Sequence, residues 1–407
     1  MLQLPRVGVA VLSLAAVGLA QGKNILFYGN SLSLFNCGVA AVVRGMAIDA
    51  GFPAPTCQLQ LVSGMALHFH ATDPAQIAAI TNSLPPGQHW DFVVMQGISH
   101  ETTTTLGNPT QFAADAATIL GNVRNHSPAA VGVLFQTYAR AQGHAWYPGT
   151  FANPMVMNEQ VRTTYRNTTA QLNALFGPGA AVNSAVGDCA ALIEFAPSYY
   201  FTDLQHPAPA LTFLSGMCLF STIYARRACD VTPNVGQPSA LATLLTNYNW
   251  NLNDWRRLAG IADRCAARSL RRYPGSGDQL LLETGTVPGY CIAAPVDDVT
   301  LGTPFELRLS SKNGRFDTAP AMLIARLFTT GMPPQPPGQY PELAISPASL
   351  SILLTTPNLA SPLAFSLNLP FTLPGLSLMI QGVALAPSSE TGNQTFTATD
   401  GHELVFH

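Results

Sequence analysis

Five short apolar runs, each followed by a helical pattern, constrain this chain more than any other feature. Ile25–Tyr28, Cys57–Val62, Asp91–Gln96, Val131–Phe135 and Ala180–Val186 read as strands. Between them, helical spacing runs from Leu34 to Ala50, from Pro74 behind an Asp73 cap to Leu84, from Pro109 behind Asn108 to Val123, and from Met155 to Phe176. A further helix is predicted from Pro207 to Arg227. Strands covered on one face alternate apolar and polar residues, whereas these do not. The pattern therefore predicts a parallel sheet with helices on both faces. Ligand sites in such sheets lie at the carboxyl ends of the strands. Ser31, Gly64, Gln96 and Gln136 all fall just past strand ends and are expected on that edge.

Ser31 follows the first strand within Gly29-Asn30-Ser31-Leu32-Ser33. A serine between strand and helix sits beside backbone N–H groups with no intrahelical acceptor, which suits a developing oxyanion; it also suits a plain helix cap. Near the end of the α/β region stands Thr202-Asp203-Leu204-Gln205-His206-Pro207. An Asp three residues before a His on a loop can turn its carboxylate to the imidazole Nδ1 and leave Nε2 free to face a serine. His68 and His70 are two apart and could face one side of a strand as metal ligands, although no third ligand stands at convincing spacing. His68 near Gly64, His100 and Glu101 after Gln96, and Arg140, His144 and Tyr147 are candidates for lining the cleft.

The 407 residues are 47% hydrophobic and 10% charged, enough apolar material for two or three domains. A formal net charge of -3 gives no reason to expect nucleic acid as a partner. Residues 1–20 read as a signal peptide, with Arg6 before an apolar run from Val7 to Leu19 and cleavage after Ala20. That places the mature protein outside the cytoplasm, secreted, periplasmic or on the cell surface, with no membrane span after signal removal. Export permits disulfides, and Cys229 with Cys265 is the pairing suggested among the seven cysteines. From Leu280 onward, short β-type runs alternate with Pro, Gly and Asn, and this predicts a β-sandwich. The domains expected are thus residues 1–20, 21–275 and 276–407.

Taken together, four blocks resemble the SGNH (GDSL-type) hydrolase superfamily, in a poorly characterised exported bacterial branch, over residues 24–228. Gly29 to Ser33 resembles the first block, Ser63-Gly64 the second, Asp91 to Gln96 the third, and Asp203 with His206 the last. The resemblance implies a five-stranded flavodoxin-like sheet and a Ser31, His206 and Asp203 triad acting on an ester through an acyl-enzyme. It implies an oxyanion hole from the Ser31 and Gly64 N–H groups and the Gln96 side chain; beside it, substrate contact is expected at Asn30, His68, His100 and Tyr147, with neither metal nor cofactor. Asn30 stands where the family motif has Asp, and Gln96 where it has Asn. The substrate expected is a small-molecule or polymer ester. Two alternatives remain: a non-catalytic exported binding protein on the same fold, and a metal-dependent hydrolase using His68 and His70.

Overall fold

The computed structural model describes residues 22–233, 240–267, 273–278, 280–286, 289–291, 296–299, 304–311, 314–367 and 373–406. The signal peptide expected at residues 1–20 lies outside the described residues.

The first sheet consists of β1 (Asn24–Gly29), β2 (Thr56–Leu61), β3 (Phe92–Met95), β4 (Val131–Phe135) and β5 (Ala181–Ser184), all parallel, in the order β2-β1-β3-β4-β5. Successive residues of a strand point to opposite faces. Ile25 and Phe27 enter one core with Val94, Val133 and Phe135, while Leu26 and Tyr28 enter the other with Val93, Met95 and Leu134. Both faces are buried, which is why the central strands are apolar without alternation. β2 is the edge strand and its side chains are only partly covered.

The helices divide between the two cores. α1 (Ser31–Leu34) and α2 (Val39–Asp49) follow β1, then α3 (Leu67–Thr72), α4 (Pro74–Asn82), α5 (Pro109–His126), α6 (Pro154–Phe176), α7 (Val186–Leu192), α8 (Pro209–Tyr224), α9 (Ala240–Asn247) and α10 (Leu252–Cys265). α2, α7, α8 and α10 cover the first face, with Met46, Ala190, Leu214 and Trp255 against it. α3, α4, α5 and α6 cover the second through Leu67, Ile80, Leu120 and Tyr165. Full burial of a side chain of this kind contributes about 1.5–3 kcal/mol. The stretch Ser31–Asp49 is apolar and long enough to cross a membrane by composition, and it packs against the sheet.

Two sequence expectations are corrected here. The helix expected from Leu34 to Ala50 is broken between Phe35 and Gly38, where Gly38 takes φ 77°. A non-glycine residue seldom adopts that conformation. His68 and His70 lie on α3, not on a strand. Residues two apart on a helix point about 200° apart around its axis, so the pair cannot converge on one ion.

The C-terminal region holds two sheets. One has the order β11-β10-β13-β15-β8, from β11 (Ser351–Thr356), β10 (Ala321–Thr329), β13 (Leu376–Ala384), β15 (His402–Phe406) and β8 (Val296–Val299), with β14 (Thr397–Ala398) beside β13. The other has the order β12-β9-β6-β7, from β12 (Leu363–Leu367), β9 (Phe305–Ser311), β6 (Leu280–Thr286) and β7 (Gly289–Cys291). Leu282, Leu307 and Leu309 from one meet Leu323, Ile380 and Leu404 from the other in a shared core. Cys229 and Cys265 are not joined by a disulfide. The Sγ atoms of Cys189 and Cys218 lie 3.1 Å apart inside the first core.

Candidate active site

The sharp turn after β1 sets the site. Asn30 caps α1, its Oδ1 accepting the Leu32 N–H at 3.1 Å, and Ser31 becomes the first helical residue. Ser31 is 9% exposed. The other half comes from the loop before α8, held as a reversing segment by Phe201 N–H to the His206 carbonyl and Ala208 N–H to the Tyr199 carbonyl. Asp203 Oδ1 accepts the N–H groups of Gln205 and His206, at 2.9 and 3.0 Å. Its Oδ2 stands 2.6 Å from His206 Nδ1, and His206 Nε2 stands 3.0 Å from Ser31 Oγ.

The three groups form one hydrogen-bonded chain across 175 positions of sequence. Burial alone would push the Asp203 carboxyl up; the hydrogen bonds from the His206 ring and from two N–H groups outweigh it and bring the pKa to about 2. Asp203 therefore stays ionised and fixes the Nδ1 hydrogen of His206, turning the basic Nε2 lone pair toward Ser31.

Phe35 stacks on the His206 ring at 4.4 Å between centroids, and Asn36 Nδ2 donates to the Pro207 carbonyl at 3.0 Å. Sequence reasoning missed both. Their signal was no more than their place one turn after Ser31. The break before Gly38 is what frees this segment to reach across to the His206 loop.

Gln96 does not fill the oxyanion role expected of it. It is fully buried, and its Oε1 accepts the Asn30 N–H at 3.1 Å and the Ser33 hydroxyl at 2.8 Å. Its Nε2 donates to Asn30 Oδ1 at 2.9 Å and to the Gly97 carbonyl at 2.5 Å. A backbone N–H on one side and a carbonyl on the other settle which end is which, and both N–H groups are spent. The extra methylene over Asn carries the amide beneath the turn: a Cβ on Gly29 would lie 2.7 Å from Gln96 Oε1, so only glycine fits there.

Asn30 is corrected in the same way. It is 2% exposed and its Nδ2 donates to the Met65 carbonyl at 3.0 Å, so it fastens the second block to the first and is not turned to a substrate. The Ser31 and Gly64 N–H groups, in contrast, meet no protein acceptor among the described residues. Gly64 stands on an exposed turn at φ 77°.

His68 turns to α5, with Nδ1 3.0 Å from Asp115 Oδ1, and not to Ser31. His70 is buried, with Nε2 2.9 Å from the Gly29 carbonyl and Nδ1 3.0 Å from Gln76 Oε1, so both ring nitrogens are engaged within the fold. Glu101 works as a clamp. Its carboxylate accepts the N–H of Leu67 at 3.0 Å and of Ile98 at 2.9 Å, joining the loop after β2 to the loop after β3. Burial pushes its pKa up to about 7 against the pull of those two N–H groups. The Tyr147 hydroxyl donates to the Arg140 carbonyl at 3.2 Å and so closes its own loop. His100 meets that loop edge-on through Trp146, with ring centroids 5.7 Å apart.

A parallel sheet in the order β2-β1-β3-β4-β5, with Ser31 after β1 and an Asp-x-x-His loop before the last sheet-covering helix but one, decides the fold type. The α/β half has the doubly wound, flavodoxin-like strand order expected from the sequence. No protein-family model and no curated protein matches the chain. Among solved structures it is similar to a protein of Slackia heliotrinireducens described as an SGNH hydrolase, at 22% identity and TM-score 0.38, over 50% of this chain and 100% of that one. It is similar to a GDSL-like lipase from Parabacteroides merdae at 16% identity and TM-score 0.38, over 51% and 98%. A carbohydrate esterase family 3 structure from Talaromyces cellulolyticus matches at 14% identity and TM-score 0.38, over 50% and 97%. All three matches span about half of this chain.

Proposed function

We propose that the chain is an exported serine esterase or deacylase acting on an acyl ester of a small molecule or polymer. The observation that carries this reading is the unbroken chain from Asp203 Oδ2 through His206 to Ser31 Oγ, at 2.6 and 3.0 Å. Ser31 Oγ attacks the ester carbonyl while His206 Nε2 takes its proton. The tetrahedral oxyanion is met by the unpartnered N–H groups of Ser31 and Gly64. His206 then gives the proton to the departing alcohol, leaving an acyl-serine. Water, deprotonated by the same nitrogen, attacks the acyl carbonyl; His206 then returns that proton to Ser31 Oγ as it leaves, and the acid is released. The apolar run at residues 7–19 supports export. Incubation with a fluorophosphonate followed by peptide mass analysis tests the reading. A single adduct at Ser31, with loss of p-nitrophenyl ester hydrolysis that chelators do not reproduce, is the expected result. An unlabelled Ser31 in folded protein would leave the non-catalytic binding reading in its place.

A further inference from the structure

Arg140 is the least explained charge near the site. It lies five residues past the end of β4 and is 3% exposed. Its position is set by two hydrogen bonds to the segment carrying Asp203 and His206. The Tyr200 hydroxyl donates to the Ala139 carbonyl at 3.0 Å, and the Ala141 N–H donates to the Leu204 carbonyl at 3.0 Å. The residue between them is thereby held beside the His206 loop. Yet no acceptor among the described residues takes a hydrogen bond from its guanidinium, and Nε is sealed from solvent with no partner. The guanidinium lies over the Trp146 ring, 5.0 Å from its centroid. Asp203 pulls on it from across the loop but makes no direct pair with it among the described residues; a buried cation held that way is costly, and an aromatic face offsets only part of that cost.

The surroundings are donors too. His144 Nδ1 accepts the Trp146 N–H at 3.2 Å, which leaves a hydrogen on Nε2 if the ring is neutral. The rings of His144 and His100 approach Trp146 at 4.9 and 5.7 Å, and His100 Nδ1 is buried without a partner. Burial first, and then the Arg140 charge, holds both imidazoles below their usual pKa, so they stand neutral around the cation.

We propose that Arg140, with His100, His144 and Trp146 around it, is the binding site for a carboxylate carried by the ester substrate. A guanidinium offers five N–H groups in a fork that matches a carboxylate, and burial strengthens the pairing. The site then takes esters bearing a free acid in preference to neutral esters of the same length. The inference rests on the esterase reading for its substrate, but not for its binding step.

Two measurements test it. The first compares mono-p-nitrophenyl glutarate with p-nitrophenyl valerate. Native enzyme should favour the glutarate in kcat/KM, Arg140→Gln should lower that preference about ten-fold or more through KM, and Arg140→Lys should recover part of it. The second titrates glutarate calorimetrically into Ser31→Ala and into Ser31→Ala with Arg140→Gln, where no turnover is needed. Binding by the first and about ten-fold weaker binding by the second supports the site. Equal preference for the two esters in native enzyme and Arg140→Gln, or glutarate binding that is absent or indifferent to Arg140→Gln in protein with a native melt, overturns it and makes Arg140 a packing residue. If neither ester is cleaved, the esterase reading falls while the calorimetric comparison still decides Arg140.

Discussion

At the scale of single residues, two serines two apart in the same turn are given different work. Ser31 faces His206, and Ser33 donates to Gln96 and is 2% exposed. Ser31→Ala should lower kcat on a p-nitrophenyl ester by about 10⁴-fold or more with an unchanged melt, since members of such a unit are not independently dispensable. Ser33→Ala should keep most of the rate and lose about 1 kcal/mol of stability, the usual net worth of one hydrogen bond. Equal loss of rate from both changes, measured on folded protein, would remove Ser31 from the nucleophile's place. Gln96→Ala should act on stability, because it strands the Asn30 N–H, the Ser33 hydroxyl and the Gly97 carbonyl in a dry interior; each such group costs about 1–3 kcal/mol. Thermal melts alongside kcat per folded molecule separate this from an oxyanion role, in which kcat would fall and the melt would hold.

At the scale of elements, Glu101 ties the loop after β2 to the loop after β3, and its protonation couples that junction to pH. Its folded pKa of about 7 lies above the ordinary 4.5. A carboxyl raised in this way contributes stability fully below pH 4.5, and that contribution is lost as pH rises through about 7. In Glu101→Gln this pH-dependent component disappears. Chemical denaturation from pH 4 to 8 should show native enzyme losing on the order of 3 kcal/mol more than Glu101→Gln across the window, given 1.36 kcal/mol for each tenfold change. Parallel curves would mean that the carboxyl is not held up by burial. His402 in β15 acts at the acid end. Burial takes its pKa down to about 3, so it remains neutral while the unfolded chain gains a proton, and its contribution is lost as pH falls from 6.5 toward 3.

At the scale of the whole molecule, the two bodies meet through charge. Arg162 and Arg166 of α6 both pair with Glu390, and Arg166 lies 3.1 Å from its Oε2. Asp188 of α7 stands 3.8 and 3.7 Å from the same two arginines. Arg264 near the end of α10 donates to the Leu280 carbonyl at 3.1 Å. Every residue proposed for the reaction precedes Pro207, so a chain truncated after Ala267 should fold and hydrolyse a small neutral ester within about three-fold of the full rate. Removing Glu390 takes one carboxylate from Arg162 and Arg166 and leaves them Asp188, so the melting temperature should be lower and less dependent on salt, as expected when partly buried ion pairs are lost. A folded, soluble, inactive truncation would make the C-terminal sheets part of the catalytic unit.

Local periodicity determined much of this without the third dimension. Runs buried on both faces must be apolar throughout, so the central strands β1, β3 and β4, the parallel arrangement and the edge that carries Ser31, Gly64 and Gln96 were legible as spacing. Asp203 and His206 were legible because three residues on one loop suffice to bring their side chains together. What sequence could not reveal was where hydrogen bonds end once distant segments meet. Gln96 has the right chemistry for an oxyanion donor, but Asn30 and Gly97 take both of its N–H groups. His68 and His70 have metal-ligand chemistry, but α3 turns them apart. Phe35 reaches His206 only because the helix breaks before Gly38. Arg140 is an ordinary arginine by spacing and becomes a buried cation with no hydrogen-bond acceptor among the described residues only when Tyr200 and Leu204 close on either side of it. Burial in alternation is a property of neighbours along the chain, whereas the partner that satisfies or abandons a polar group is chosen by residues many positions away.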